Sequence, residues 1–179
     1  FNASFYLIFA IFTPYFNASI EMHFQFTKCY IMKVLKFGGT SVGSPERIRE
    51  VIKIIESQRA PCLIVVSAFQ GITDDLKHLS ELASTRDDKY KILFEKVIAK
   101  HIDFAKQLIV KYRQDVVIEE IKNIANNLLE TLNGIYLLRE LSKHSLDQTL
   151  GTGEILSSLI LSKLIDDCQL IDARNFIKT

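Results

Sequence analysis

The segment Lys36-Phe37-Gly38-Gly39-Thr40-Ser41 holds the residue types and spacing that most directly suggest chemistry. Glycines carry no β-carbon, so their main-chain N–H groups can come close to an anion. A helix starting soon afterwards would add the positive end of its dipole. Lys36 supplies a mobile positive charge at the end of a strand candidate. Together these groups can hold nucleotide phosphates and stabilise charge on a phosphoryl group in flight. No Gly-Lys-Ser/Thr follows at the required spacing, which excludes a Walker-type loop. Taken alone, a Lys-x-Gly-Gly element is equally well explained by a turn that needs positive φ.

Two further clusters have polar groups in useful places. Ser67-Ala68 with Gly71-Ile72-Thr73-Asp74 puts two hydroxyls at the carboxyl end of a buried strand, within reach of a small polar substrate. The competing reading is that Thr73 only caps the next helix, with Asp74 and Asp75 as solvated charges in its first turn. Gly151-Thr152-Gly153-Glu154 reads as a turn leading into a helix. Glu154 can bind a substrate ammonium by a charge-assisted hydrogen bond, or simply favour the first helical turn. His23, His78, His101 and His144 form no HExxH and are expected on surfaces or helix faces. Cys62 lies inside an apolar run, where burial raises a thiol's pKa, and reads as core.

The elements that must position these groups follow a regular order. Lys33–Phe37 is a strand running into the glycine pair. Ser44-Pro45-Glu46 has the residues of a helix start: a capping Ser, Pro at the first position and a helpful acid. Ile48, Val51, Ile52 and Ile55 then recur at helical spacing. Cys62–Val66 (CLIVV) is a continuous apolar run, as in a strand buried on both faces. Strand, glycine turn, helix and buried strand make a βαβ unit, which gathers loops at the carboxyl ends of parallel strands. The periodicity then predicts a helix from Asp74, two long helices over roughly Lys89–Tyr112 and Val116–Leu141 forming a hairpin beside the sheet, and a helix over Glu154–Leu164. Leu170-Ile171-Asp172 reads as a third strand.

Composition narrows the class. With 48% hydrophobic and 24% charged residues the chain is an ordinary globular one. A formal net charge of +1 argues against a nucleic-acid binder that works through an overall positive field. Cys29, Cys62 and Cys168 are scattered, with no CxxC and no His at ligand spacing. They form neither a disulfide scaffold nor a metal module and suit a reducing cytoplasm. Phe1 to Ile31 has only Glu21 and Lys28 as full charges. Its apolar run, Phe5 to Phe12, is too short to span a membrane, and no basic region precedes it. Residues 1–31 are expected to be upstream read-through or a poorly folded extension before Met32, with a short membrane-surface segment as the rival.

In order and context, these segments resemble the aspartate kinase family, within the amino-acid kinase fold. Lys36 to Val42 is similar to the family's N-terminal signature. Val65-Val66-Ser67-Ala68 with Gly71-Ile72-Thr73-Asp74 is similar to its second motif, and Gly153-Glu154 with Leu156-Ser157 to its third. Gly134 to Leu141, Leu170 to Arg174 and Ile177 to Thr179 also have the family's look. The resemblance runs from Met32 to the end. It implies an α/β fold: the N-terminal part, residues 32–179, of a parallel-sheet α/β/α sandwich with a helical hairpin insertion. It implies ATP-dependent phosphorylation of the side-chain carboxylate of L-aspartate to 4-phospho-L-aspartate, toward lysine, threonine and methionine. Lys36 would stabilise the transferring group, and Phe37, Gly38, Gly39 and Ser41 would line the ATP phosphates. Ser67 and Thr73 would hold aspartate, with Glu154 on its amino group, and Mg2+ would arrive with ATP. No nucleic-acid or membrane partner is implied, and the parent would be a homo-oligomer.

Thr152 stands where the family commonly has an aromatic residue. Family kinases continue into a Gly-Arg-Gly-Gly-Ser-Asp segment and regulatory domains, and many are fused to a homoserine dehydrogenase. None of that lies in this sequence, so the piece is expected to turn over little by itself. A glutamate or acetylglutamate kinase and a noncatalytic assembly module are the alternatives.

Overall fold

Two short strands and the helix between them set the frame. The structure, a computed structural model, describes residues 8–12 and 32–175. Strand β2 (Lys33–Phe37) pairs in parallel with the apolar β3 (Cys62–Val66), and α1 (Pro45–Glu56) connects them. The start of α1 is as the sequence predicts. The Ser44 hydroxyl accepts from the Arg47 N–H at 3.4 Å, and Pro45 occupies the first turn. Ile48, Val51 and Ile55 form its buried face.

Strand β4 (Cys168–Asp172) extends the predicted third strand by two residues. The expectation for residues 1–31 contained no strand, yet Ile8–Phe12 forms β1, antiparallel to both β3 and β4 and lying between them. The sheet order is β2-β3-β1-β4. Since β3 and β4 both oppose β1, strands β2, β3 and β4 run the same way, and their carboxyl ends share one rim. The other residues of 1–31, and Ile177-Lys178-Thr179, lie outside the described residues.

Four helices follow β3: α2 (Ile72–Ser84), α3 (Lys89–Leu108), α4 (Lys111–Leu138) and α5 (Lys143–Ser162). α5 lies against the strands, while α2, α3 and α4 pack on it and on one another. The α3–α4 hairpin is present, but it rests on α2 and α5 rather than directly on the sheet. Its helices break where side chains take over main-chain groups. At the end of α3 the Gln114 amide donates to Lys106 O and Ile109 O, both at 2.8 Å. That stops α3 at Leu108, four residues short of the predicted Tyr112. At the end of α4, Arg139 adopts φ 56°, and the Arg86 guanidinium donates to Tyr136 O and Leu137 O at 3.2 Å each. These contacts satisfy the last helical carbonyls. Among the described residues, no helix is long and apolar enough to cross a membrane.

The largest departure is in α5. The turn expected at Gly151-Thr152-Gly153 is the middle of this helix, and all three residues are buried. A β-carbon on Gly153 would lie 2.8 Å from Ala68 Cβ, 3.1 Å from Leu76 Cδ1 and 3.2 Å from Ile72 Cγ2. Gly153 is thus a helix-packing glycine that lets α5 approach α2 and the loop after β3. Tertiary contact here overrides the low helix propensity of glycine. Thr73 is likewise not a cap. α2 begins at Ile72 behind Gly71, whose φ is 83°, and no side chain caps it.

His101 lies on a helix face, as expected, but on the buried one. It points inward from α3, fully buried, with Nδ1 2.7 Å from Val97 O and Nε2 without a hydrogen-bond partner among the described residues. Burial pushes its pKa down from 6.5 to about 4.

This packing leads to three testable expectations. Gly134 in α4 has nothing within 4 Å of an added β-carbon. Gly134→Ala should therefore raise stability by about 0.5–1 kcal/mol through helix propensity. In Gly153→Ala the same gain is outweighed by roughly 1–3 kcal/mol of overpacking, so stability falls. Urea midpoints at constant m-value check both signs. His101 is kept neutral by the fold, whereas the unfolded chain binds its proton below pH 6.5. Its contribution is complete above pH 6.5 and is lost as pH falls to about 4, a change of about 3 kcal/mol at 1.36 kcal/mol per pH unit. His101→Leu should flatten the stability–pH curve across that window.

Candidate active site

The candidate residues assemble where β2 and β3 end. Lys36 is opposite Val65 and Phe37 opposite Val66, and the Ser67 N–H donates to Phe37 O at 3.1 Å, fastening the two loops at their origin. Lys36 is exposed on β2, and Phe37, Ser41 and Ser67 are half-buried.

The glycine loop is not the left-handed turn that would have made Gly38-Gly39 unremarkable. Among the described glycines only Gly71 has positive φ. The loop turns through ordinary backbone: the Ser41 N–H donates to Gly38 O at 2.9 Å and the Gly43 N–H to Thr40 O at 3.4 Å. The N–H groups of Gly39 and Thr40 donate to no main-chain oxygen among the described residues. Each glycine has its own reason. A β-carbon on Gly39 would lie 3.0 Å from Ala68 O, and one on Gly43 would lie 2.6 Å from Gln70 Oε1. Close approach of the Ala68 carbonyl therefore accounts for Gly39; at Gly43 the nearest atom is the mobile end of the Gln70 side chain, with Gln70 Cβ and Thr40 O each at 3.3 Å. Gly38 has nothing within 4 Å of an added β-carbon. Neither packing nor backbone conformation explains it, and it leaves open space at the mouth of the loop. The amino end of α1 follows directly, and the Arg47 guanidinium pins the loop by donating to Thr40 O at 2.7 Å.

The loop after β3 meets α5. The Ser157 hydroxyl is fully buried and lies 3.0 Å from Ser67 O and 3.1 Å from Glu154 O as donor. Glu154 is half-buried, one residue after the contact between Gly153 and Ala68. Desolvation raises the Glu154 pKa above its usual value, opposed by the main-chain N–H groups of Glu154 itself and of Ala68. A carboxylate short of water and facing N–H donors is suited to receive an ammonium group.

The rim therefore brings together Lys36, Phe37, Gly38, Gly39, Ser41, Ser67 and Glu154. Thr73 is less intimate: it is exposed in the first turn of α2. Ser157 appears in the sequence reading only as part of the third motif, with no role of its own, although its position three residues after Glu154 places it on the same helical face. Gln70 and Lys100, whose Nζ donates to Gln70 O at 2.7 Å, carry no sequence signal. A groove of about 590 Å³ lined by Arg113, Glu120, Ser162, Lys163 and Asp166 lies at the opposite, amino end of β4. There Lys163 is paired with Glu120 at 2.7 Å.

Comparison with known proteins fits this geometry. The profile of the amino acid kinase family matches residues 32–173. The bifunctional aspartokinase/homoserine dehydrogenase 2 of Arabidopsis thaliana is 33% identical over 160 residues, covering 86% of this chain and 17% of that protein. The aspartokinase of Candida albicans is 31% identical over 141 residues, covering 75% of this chain and 26% of that protein. The chain thus spans about a sixth to a quarter of the length of these relatives. Among solved structures, E. coli aspartokinase III in complex with lysine and aspartate superposes with a TM-score of 0.66 at 25% identity, covering 74% of this chain and 28% of that one. The same enzyme with aspartate and ADP gives 0.63 at 24% identity, covering the same shares. The chain belongs to the amino acid kinase family, and its relatives within that family are aspartokinases.

Proposed function

We propose that this chain forms the phosphate-holding and amino-acid-holding rim of an aspartate kinase, which transfers the γ-phosphoryl group of ATP to the side-chain carboxylate of L-aspartate. The observation that carries the reading is Gly38. It is a glycine that the protein's own packing does not require, beside main-chain N–H groups that donate to no other main-chain group described, with an exposed lysine two residues before it. That is how a loop looks when the neighbour it accommodates is an anion. Aspartokinase III, which shares the fold, has been solved with aspartate and ADP, which supports the same pair of ligands here.

The chemistry needs no protein nucleophile. A carboxylate oxygen of aspartate attacks the γ-phosphorus, the bond to the β,γ-bridging oxygen breaks, and ADP leaves with those electrons. The Lys36 ammonium stabilises charge on the transferring group, and the amides near Gly38 and Gly39 hold the phosphates, with Ser41 beside them. Glu154 takes the substrate ammonium, while Ser67, on the same rim, and Thr73, at the start of α2, orient its polar groups. Mg2+ is read as arriving with ATP, as the family resemblance implies. The product, 4-phospho-L-aspartate, leads toward lysine, threonine and methionine. The proposal includes a homo-oligomeric parent and a cytoplasmic location, and little turnover by this chain alone.

The test is phosphate transfer in the whole protein that carries this chain, with aspartate, glutamate and acetylglutamate as acceptors. Turnover on aspartate is expected, and turnover on glutamate alone would overturn the assignment. Lys36→Ala should lower kcat by about a hundredfold or more, as when a transition-state charge contact is lost. Gly38→Ala should leave the unfolding midpoint unchanged and weaken Mg-ATP binding by calorimetry. Glu154→Gln separates function from stability. The fold penalises the Glu154 charge, and that penalty grows as pH rises above 4.5 and is complete above the raised pKa. The variant should therefore be more stable than the parent at neutral pH, equal to it in acid, and unable to bind aspartate.

A further inference from the structure

The Ser67–Gly71 loop is also held by α3, a contact that the proposed chemistry does not use. Three consecutive residues are gripped. The Ala68 carbonyl faces Gly39, at 3.0 Å from a β-carbon placed there. Phe69 is 1% exposed, with its ring stacked on His101 at 5.2 Å and 22° and tilted against Phe104 at 4.8 Å. Gln70 O accepts from Lys100 Nζ at 2.7 Å, while the Gln70 side chain occupies the space beside Gly43. Lys100, His101 and Phe104 lie within five positions on α3, so one helical turn reaches both Phe69 and Gln70.

The chemistry of this contact is costly if its purpose is stability alone. His101 is fully buried, and its Nε2 has no hydrogen-bond partner among the described residues. An unsatisfied buried nitrogen destabilises a fold relative to an apolar side chain of similar shape. Lys100 directs its ammonium at a carbonyl rather than at an acid, which fixes one peptide group without neutralising a charge. His101 holds the Phe69 side chain, and Lys100 holds the carbonyl of the Gln70–Gly71 peptide. The segment they hold carries Ala68, whose carbonyl faces Gly39 and whose β-carbon faces Gly153.

We propose that Lys100 and His101, with Phe104, are positioning residues that set the separation between the phosphate loop and the amino-acid-binding side of the rim by clamping Phe69 and Gln70. This rests on the kinase reading only for its consequence in catalysis; the clamp itself is a statement about the loop.

Amide hydrogen exchange on this chain tests the clamp directly. Lys100 is half-buried, so Lys100→Met should fold. It should raise exchange at Ala68–Gly71 about tenfold, the scale expected for loss of one charge-assisted hydrogen bond, and leave α4 unchanged. Lys100→Arg should restore protection to within about twofold, since it keeps a donor at that place. His101→Leu should loosen the same loop without lowering the unfolding midpoint at pH 7. In the whole protein, both loosening variants should lower kcat/KM for aspartate about tenfold, with recovery in Lys100→Arg. Unchanged loop exchange in Lys100→Met and His101→Leu overturns the proposal, as does exchange that rises equally in all helices. A whole protein that transfers no phosphate to aspartate overturns the kinase reading instead and leaves the exchange comparison to decide the clamp.

Discussion

The peptide of Ala68 is the fixed point of this molecule. Its carbonyl lies 3.0 Å from where a β-carbon on Gly39 would stand, its β-carbon lies 2.8 Å from where one on Gly153 would stand, and its N–H opposes the desolvation that raises the Glu154 pKa. Three segments that are far apart in the chain meet on one residue, and two of them can do so only because they present glycine. Protein interiors are close-packed, and a single added methyl at either glycine would have to displace main chain or a short side chain that has nowhere to turn. The rim is therefore defined by steric contact more than by hydrogen bonding, and the polar groups ride on that contact. Ser157 and Lys100 secure the neighbouring carbonyls, Ser67 O and Gln70 O.

This arrangement places several costs at one end of the fold. Gly153 sits in a helix interior, where glycine costs about 1 kcal/mol relative to alanine. Glu154 is a carboxylate deprived of water, and His101 is a buried imidazole with one nitrogen unmatched among the described residues. None of these would be chosen for stability. The apolar seam of Ile48, Ile55, Ile64, Leu76, Leu79, Ile121, Leu132 and Leu156, all fully buried, supplies the offset. The seam runs up to the rim, where Leu76 packs against Gly153, but the costly groups are at the rim and the seam itself is apolar.

Much of the frame was legible from residues because the deciding forces there are local. Ser44-Pro45-Glu46 writes its helix start in capping chemistry, and Cys62–Val66 its burial in an unbroken apolar run. The motifs at Lys36–Ser41 and Ser67–Thr73 were visible as well, and so was the identity of Glu154. What failed was local grammar overruled at a distance. Gly151-Thr152-Gly153 reads as a turn to any rule that looks only a few residues to each side, yet α5 runs through it because Ile72 and Leu76 leave no room for a side chain. Thr73 reads as a cap, but Gly71 takes the left-handed position and α2 starts two residues earlier than a Thr73 cap requires. Strand β1 has no signal beyond a short apolar run, and it enters the sheet by pairing rather than by pattern.

The clamp on Phe69 shows why such contacts resist sequence reasoning even when every helix is foreseen. α2 leaves the rim at Ile72 and runs for 13 residues, about 20 Å at 1.5 Å per residue. α3 then returns, and Lys100 lies about 17 Å into it by the same measure. The two lengths nearly cancel, which brings Lys100 and His101 back level with the loop from which α2 departed. Moving either helix start by two residues would shift that landing point by about 3 Å and rotate the contacting face by about 200°. Lys100 would then miss Gln70, and His101 would face another neighbour. The helix boundaries are set by Gly71 and by the turn at Thr85–Asp88, where Arg86 takes φ 58° and reaches across to the end of α4. The position of the loop at the rim is thus governed in part by a turn at the far end of α2, through helix length alone.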